Sequence, residues 1–299
     1  MCNSPDLHTH STASDGTLTP TQLVRRAAAA QVPILALTDH DTLAGIAEAQ
    51  GAAADCNLRL VPGVEISVTW QNQTVHILGL GVDPRNPTLN AGLEDLRGFR
   101  HWRAEEIGRR LDKAGYAGAF EGAKALSNGR LIGRTHFARF LVARGAADDV
   151  RGVFKHFLVK GKPGHVRGQW AELADAVGWI RAAGGQAVIA HPARYGLTRS
   201  KLLRLITEFK AAGGTGIEVI SGSHSRDEYF VFARHAREQG LLASAGSDFH
   251  GPEQPWIELG RLPKLPEGCT PIWQDWPIAQ IGIPYWHPNH NGAVLRSSP

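Results

Sequence analysis

Side chains suited to ligating metal recur where apolar runs of this chain end: His8, His10, Asp15, His40, Glu65, His76, His191, Asp248 and His250. Imidazole and carboxylate without thiolate suit borderline and hard divalent ions such as manganese, zinc or iron. Such groups converging from separate segments would hold several ions. Clustered cations lower the pKa of water, neutralise phosphoryl oxygens and clamp the attacking and leaving oxygens of an in-line displacement. Phosphoester hydrolysis is therefore the chemistry expected. With water as nucleophile no Ser-His-Asp triad is needed, and the sequence has no Gly-x-Ser-x-Gly elbow.

These residues require strands that end together. Asp6-Leu7-His8-Thr9-His10 reads as a strand whose period of two sends both histidines to one face. Thr38-Asp39-His40-Asp41 follows Ile34–Leu37, His191-Pro192 follows Val188–Ala190, and Ser247-Asp248-Phe249-His250 follows Leu241–Ala243. Candidate strands lie around 5–8, 34–38, 59–65, 75–80, 187–190, 217–220 and 242–246. Their alternation with helical patterns predicts a parallel α/β architecture. Thr19-Pro20-Thr21-Gln22 has the form of a capping box with proline at the first helical position. His76, near the start of its apolar run, does not fit a rule that puts ligands at strand ends.

In this order and context the motifs resemble the polymerase and histidinol phosphatase (PHP) family of phosphoesterases, over roughly the first 260 residues. The resemblance implies a distorted (β/α)7 TIM-like barrel with an inserted helical subdomain. It also implies three ions per chain, with manganese preferred. His8, His10, Glu65 and Asp248 would surround one ion and Asp15, His40 and His250 a second, while Glu65 bridges toward a third held by His76 and His191. Asp15, His40, His191 and His250 would act directly in catalysis. The bacterial nucleotide-phosphoesterase branch matches best in size. Its activity would be hydrolysis of nucleoside 3′,5′-bisphosphates to 5′-monophosphates, with 5′-to-3′ degradation of short 5′-phosphorylated oligonucleotides. A histidinol-phosphate phosphatase and a non-catalytic, metal-stabilised module are the competing readings. The arginine-rich insertion argues against the first, and the full set of ligand positions against the second.

The barrel is assigned to residues 1–84 and 166–260, the insertion to 85–165, and an extended Pro/Trp-rich tail to 261–299. The insertion is the expected site of substrate recognition. Arg134 and Thr135, at a predicted helix start where backbone N–H groups favour anions, are assigned to a substrate phosphate. Phe99, Arg100, His101 and Trp102 combine cation and ring, suited to stacking a base and holding a second phosphate; packing within a helix is the alternative. His165 and Arg167 are further candidates where the chain returns to the barrel. In the tail, Pro263, Pro266, Pro271, Pro277, Pro284 and Pro288 with Trp273, Trp276 and Trp286 rule out a long helix. His287 and His290 match no metal motif.

With 299 residues, 42% of them hydrophobic, the chain can bury one large core or a core plus a subdomain. No apolar run reaches the ~20 residues of a membrane span, and Met1-Cys2-Asn3-Ser4 lacks the character of a secretory signal, so a cytoplasmic protein is expected. Cys2, Cys56 and Cys269 show no disulfide or zinc-ribbon spacing and are read as reduced thiols. The net charge of +4 points mildly to anionic partners, a nucleotide or short oligonucleotide, and no obligate protein partner is evident. Arginine outnumbers lysine three to one, and its planar fork matches phosphate oxygens in pairs.

Overall fold

A computed structural model describes residues 4–127 and 131–276. Six strands form one sheet in chain order: β1 (Ile34–Leu37), β2 (Arg59–Trp70), β3 (Gln73–Leu80), β4 (Gln186–Ile189), β5 (Gly216–Ser221) and β6 (Leu242–Gly246). Residues 6–10 lie between the first strand and the last. Asp6 N donates to Ile34 O and Leu7 N to Ala245 O, and Asp248 N and His10 N continue the link toward residues 248–249. Both edges of the sheet are thereby tied to one segment, which forms isolated bridges rather than the regular strand expected.

The fold is mixed α/β, not uniformly parallel. β3 runs antiparallel to both β2 and β4, while the β1–β2, β4–β5 and β5–β6 pairs are parallel. The cause is local: β2 and β3 are joined by Gln71 and Asn72, both at positive φ (46° and 64°). A two-residue turn of this kind closes a hairpin and leaves no room for a crossover helix. Reversal puts the beginning of β3 at the same end of the sheet as the carboxyl ends of its antiparallel neighbours β2 and β4. His76 consequently points into the same mouth as the other ligands.

Period-two burial divides the strands into two faces. Ile34, Ala36, Val61, Leu78, Leu80 and Val188 pack inward with Leu7. Alternate residues such as Val64, Ile66, Ile77, Ile189 and Ile217 pack outward against α7 (Leu173–Ala182), α8 (Arg199–Ala211) and α9 (Arg226–Gln239). α1 (Pro20–Ala29) and α2 (Ile46–Cys56) cover β1 in the same way. The α1 capping box forms as read, with Thr19 and Gln22 satisfying each other's backbone N–H. Inward positions differ in polarity along β2 and β3, Val61 giving way to Glu65 on β2 and Leu78 and Leu80 being preceded by His76 on β3. One end of the interior is therefore greasy and the other ionisable. At the greasy end Ile272 and Trp276 complete the cluster, and Trp276 Nε1 donates to Gln186 Oε1 at 2.6 Å.

Between β3 and β4 the chain forms α3 (Pro87–Lys113), α4 (Ala119–Leu126), α5 (Arg134–Ala143) and α6 (Val150–Val153), the last continuing into a π-helical turn, Phe154–Leu158. These helices have their own core, with Ile107, Leu111, Phe137, Leu141 and Leu158 at its centre. The long α3 returns to the sheet where Gly92 meets Trp179 of α7; a Cβ at residue 92 would stand 2.5 Å from that ring. Among the described residues no helix is long and apolar enough to cross a membrane. Pro277, Pro284, Trp286, His287, Pro288 and His290 lie outside the described residues.

Candidate metal centre

At the polar mouth all nine candidate ligands converge, and Glu65 is their hub. Its Oε2 faces His40 Nδ1 at 2.9 Å and the Nε2 atoms of His8 and His10 at 3.3 Å each. Its Oε1 faces His76 Nδ1 at 2.8 Å and His191 Nε2 at 2.9 Å. Asp248 Oδ1 stands 3.4 Å from His8 Nε2 and 3.2 Å from His10 Nε2. Asp15 Oδ1 is 3.3 Å from His250 Nε2 and 4.0 Å from His40 Nε2. The donor atoms fall into three groups, each within 4.8 Å internally: His8, His10, Glu65 and Asp248; His10, Asp15, His40 and His250; and His40, Glu65 and His76. His191 joins the third through Glu65 and through His76 Nδ1, 3.4 Å away.

These contacts are not an ordinary hydrogen-bond network. His8 and His10 place their Nε2 atoms 3.1 Å apart. Glu65 Oε2, Asp15 Oδ1 and His40 Nδ1 are buried and make no hydrogen bond, despite the nitrogens and oxygens around them. Buried polar atoms left without a hydrogen bond are costly unless something electropositive lies among them. Nitrogen and oxygen donors at this spacing fit divalent cations.

The electrostatics agree. Burial by itself would raise the carboxyls of Glu65, Asp15 and Asp248, but neighbouring histidines hold all three well below the usual carboxylate range. Burial would likewise lower His8 and His10. The carboxylates overcome it, lifting His8 well above the ordinary imidazole range and His10 to about 10. For His40 and His191 burial wins, and both drop to about 4, leaving neutral rings with lone pairs to give. The centre is thus a negative pocket that demands positive charge.

Local structure fixes several of the ligands. Three non-glycine residues at or beside the centre adopt positive φ: Asp41 (49°), His191 (25°) and Asp248 (57°). Asp248 is held by its N–H donating to His8 O at 2.9 Å. Buried Asp39 accepts from Ser11 N, Ser11 Oγ and Ser14 Oγ at 2.6–2.8 Å, which sets the loop carrying Asp15. Tyr195 donates to Ala190 O at 2.9 Å and accepts from His76 N at 2.8 Å, pinning the start of β3 to the turn after β4.

A cleft of about 140 Å³ opens on the centre. Its opposite wall comes from the helices between β3 and β4: Arg100 and Arg103 of α3, Gly133, Arg134 and Thr135 at the start of α5, and Phe154. Arg134 is at the helix start expected, with its guanidinium 5.3 Å from the Phe154 ring centroid. Thr135 is already engaged, its hydroxyl donating to Asp15 Oδ2 at 3.0 Å. Arg100 Nε donates to Asp41 Oδ2 at 2.5 Å, and its guanidinium stacks 5.0 Å from Trp170. Phe99, His101 and Trp102 are not among the lining residues. Phe99 packs edge-on to Trp170, His101 pairs with Glu105 in solvent, and Trp102 is 51% exposed. On α3 only every third or fourth residue can face the cleft, so Arg100 and Arg103 do and their neighbours cannot. At the return to the sheet, Arg167 bonds Asn72, and neither it nor His165 lines the cleft.

Sequence reasoning passed over Arg103, Trp170, Arg194 and Glu218. Arg194 lines the cleft and donates to Asp248 Oδ2 at 2.6 Å. Fully buried Glu218 accepts from His8 Nδ1 at 2.8 Å and from the backbone N–H of His191. A carboxylate in the middle of the apolar run Ile217–Ile220 was the available signal for Glu218.

The family description PHP domain matches residues 6–187. The chain is 54% identical over 271 residues to a protein of Chromobacterium violaceum named 3′,5′-nucleoside bisphosphate phosphatase, covering 90% of this chain and 95% of that one. It is 46% identical over 273 residues to the 5′-3′ exoribonuclease Rnm of Escherichia coli K12, covering 91% and 93% of the two. A solved structure from Bifidobacterium adolescentis, described as a metal-dependent phosphoesterase, superposes with a TM-score of 0.76 at 28% identity, covering 91% of this chain and 94% of its own.

Proposed function

The chain belongs to the PHP-domain family, and from that membership we propose that it is a metal-dependent phosphoesterase. It hydrolyses nucleoside 3′,5′-bisphosphates to nucleoside 5′-monophosphates and phosphate, and removes nucleotides from short 5′-phosphorylated oligonucleotides in the 5′-to-3′ direction. The observation that carries this reading is the convergence of two donor sets on the two oxygens of Glu65, facing a wall of arginines across one cleft.

In this reading His8, His10, Glu65 and Asp248 hold one divalent ion, Asp15, His40 and His250 a second, and Glu65, His76 and His191 a third, with manganese preferred. Such ions, when bound, activate water and neutralise the phosphoryl group under attack. The chain's own residues do the positioning. Arg194, at the edge of Asp248, is placed to pair with an oxygen of the scissile phosphate. Arg134 takes the phosphate that is not cleaved, in the two-pronged geometry that guanidinium favours. Thr135 orients Asp15 rather than touching substrate. Phe154 and Trp170 are the rings in the cleft against which a base can lie. Residues 6–10 act as the seventh stave of a distorted barrel, and the helices of 85–165 form the inserted subdomain that covers the site.

The test is steady-state hydrolysis by chelator-treated protein reloaded with manganese, zinc or iron. The substrates are a nucleoside 3′,5′-bisphosphate, a 5′-monophosphate, histidinol phosphate and a short 5′-phosphorylated RNA. The bisphosphate should give the highest kcat/KM with manganese. Preference for histidinol phosphate, or turnover unaffected by metal removal, would reject the proposal.

A further inference from the structure

Glu218 has no place in the ligand set, yet it is fully buried within a strand whose other residues are uncharged. Both of its oxygens are occupied. Oε1 is 2.8 Å from His8 Nδ1, and Oε2 accepts the backbone N–H of His191, a residue whose φ of 25° places it in strained backbone territory. His8 belongs to the donor group around Asp248, and His191 to the opposite side of Glu65. On the adjacent strand Gly246 makes the arrangement possible, because a Cβ there would stand 2.3 Å from His8 Cβ and 2.7 Å from Glu218 Oε1.

We propose that Glu218 is a positioning residue that sets two ligands far apart in the sequence at once: it keeps the proton of His8 on Nδ1, so that Nε2 presents its lone pair to the metal, and it clamps the strained turn from which the His191 ring projects. A carboxylate is required because both partners donate. The backbone N–H of His191 cannot reverse its role, and an imidazole that donates through Nδ1 keeps Nε2 free while gaining basicity from the negative charge behind it. Glu218 belongs to none of the three donor groups, and each of its oxygens already faces one of these two donors.

The inference rests on the metal-centre reading, and the test separates the two. Glu218→Gln keeps the volume but offers one acceptor and one NH2. With its oxygen taken by His191 N–H, the NH2 meets His8 Nδ1 and drives the proton to Nε2, which then cannot ligate. Manganese affinity, measured by titration of metal-free protein, should fall about ten- to a hundredfold, while circular dichroism of the metal-free variant stays that of the wild type. Unchanged affinity and stoichiometry in the variant overturns the role of Glu218 alone. A wild-type chain that binds no divalent ion overturns the metal centre itself. If the variant does not fold, zinc-loaded wild-type protein labelled with ¹⁵N-histidine decides. Long-range proton–nitrogen correlations should show the His8 proton on Nδ1 and zinc on Nε2, and the reverse arrangement overturns the proposal.

Discussion

The two walls of the cleft are built by different means. The ligand wall consists of strand ends and the turns just beyond them, and three of its side chains have a second contact that sets their direction: Glu218 behind His8, Arg194 beside Asp248, Thr135 on Asp15. The facing wall consists of helix surface, where Arg100 is paired with Asp41, Arg103 donates twice to Val166 O, and Arg134 rests on Phe154. Burial lowers the guanidinium of Arg103 to about 9 and depresses that of Arg134, with neighbouring arginines adding to the effect. One wall concentrates carboxylates, the other guanidinium groups. On the proposed function chemistry belongs to the first and choice of substrate to the second, so substitutions on the two walls should fail in different ways.

The largest effect is expected at Glu65, because its two oxygens are shared by both halves of the ligand wall. Glu65→Gln preserves volume and removes the charge that lets cations lie close together. Bound metal should drop at more than one position, and kcat/KM should fall on the order of a thousandfold, or about 4 kcal/mol, on every substrate alike. Elemental analysis beside kinetics checks this. Loss of a single ion with activity retained would make Glu65 a terminal ligand and remove the hub from the picture.

Arg134→Ala tests the other wall. Removing a charge-assisted contact to phosphate should cost about 2–4 kcal/mol, roughly thirty- to a thousandfold in kcat/KM, at unchanged metal content. The loss should be greater for a nucleoside 3′,5′-bisphosphate than for p-nitrophenyl phosphate, which has no second phosphate to engage. Equal, small losses on both substrates would mean that specificity resides elsewhere in the cleft.

How much of each wall could be read from the sequence follows from how it is built. Ligands at strand ends leave a local signature, an apolar run stopped by histidine or aspartate, and His8, His10, His40, His191, Asp248 and His250 all carry it. Glu65 is found inside a longer strand than the apolar run suggested, and His76 comes at the start of one. Both depend on a hairpin turned by Gln-Asn, which lacks the glycine that usually announces such a turn. The facing wall has no comparable signature. Phe99, Arg100, His101 and Trp102 are equivalent as composition, and only the rotation of α3 about its axis selects Arg100. Arg194 and Trp170 enter the cleft from turns whose paths are set by tertiary contacts, such as Trp170 N donating to Thr69 Oγ1 at 2.8 Å.

Thr135→Val probes a hydrogen bond that joins the start of α5 to the ligand wall. Valine keeps the shape and deletes the donor to Asp15 Oδ2. If the threonine orients Asp15, manganese should bind about ten- to a hundredfold more weakly, and the defect should be relieved by raising the metal concentration. A defect that metal cannot relieve, but that scales with the phosphates on the substrate, would return Thr135 to substrate binding.

The smallest effect is expected at Trp102. Its ring is half exposed, packs at a tilt against Phe99 with centroids 5.4 Å apart, and does not line the cleft, whereas Trp170 does and carries the guanidinium groups of Arg100 and Arg103 over its face. Surface substitutions remote from a functional group usually change free energies by no more than about 0.5 kcal/mol. Trp102→Ala should therefore leave kcat/KM for the bisphosphate within about twofold of wild type, since 0.5 kcal/mol corresponds to a factor of roughly two. Trp170→Ala should cost more, because it removes both a ring from the cleft and the surface that aligns two arginines. The ratio of the two losses, measured on the bisphosphate and on p-nitrophenyl phosphate, is the discriminating quantity. A loss above tenfold at Trp102 confined to the nucleotide substrate would show that the base reaches past the cleft onto the outer face of α3, and the boundary between the two walls would have to be redrawn there.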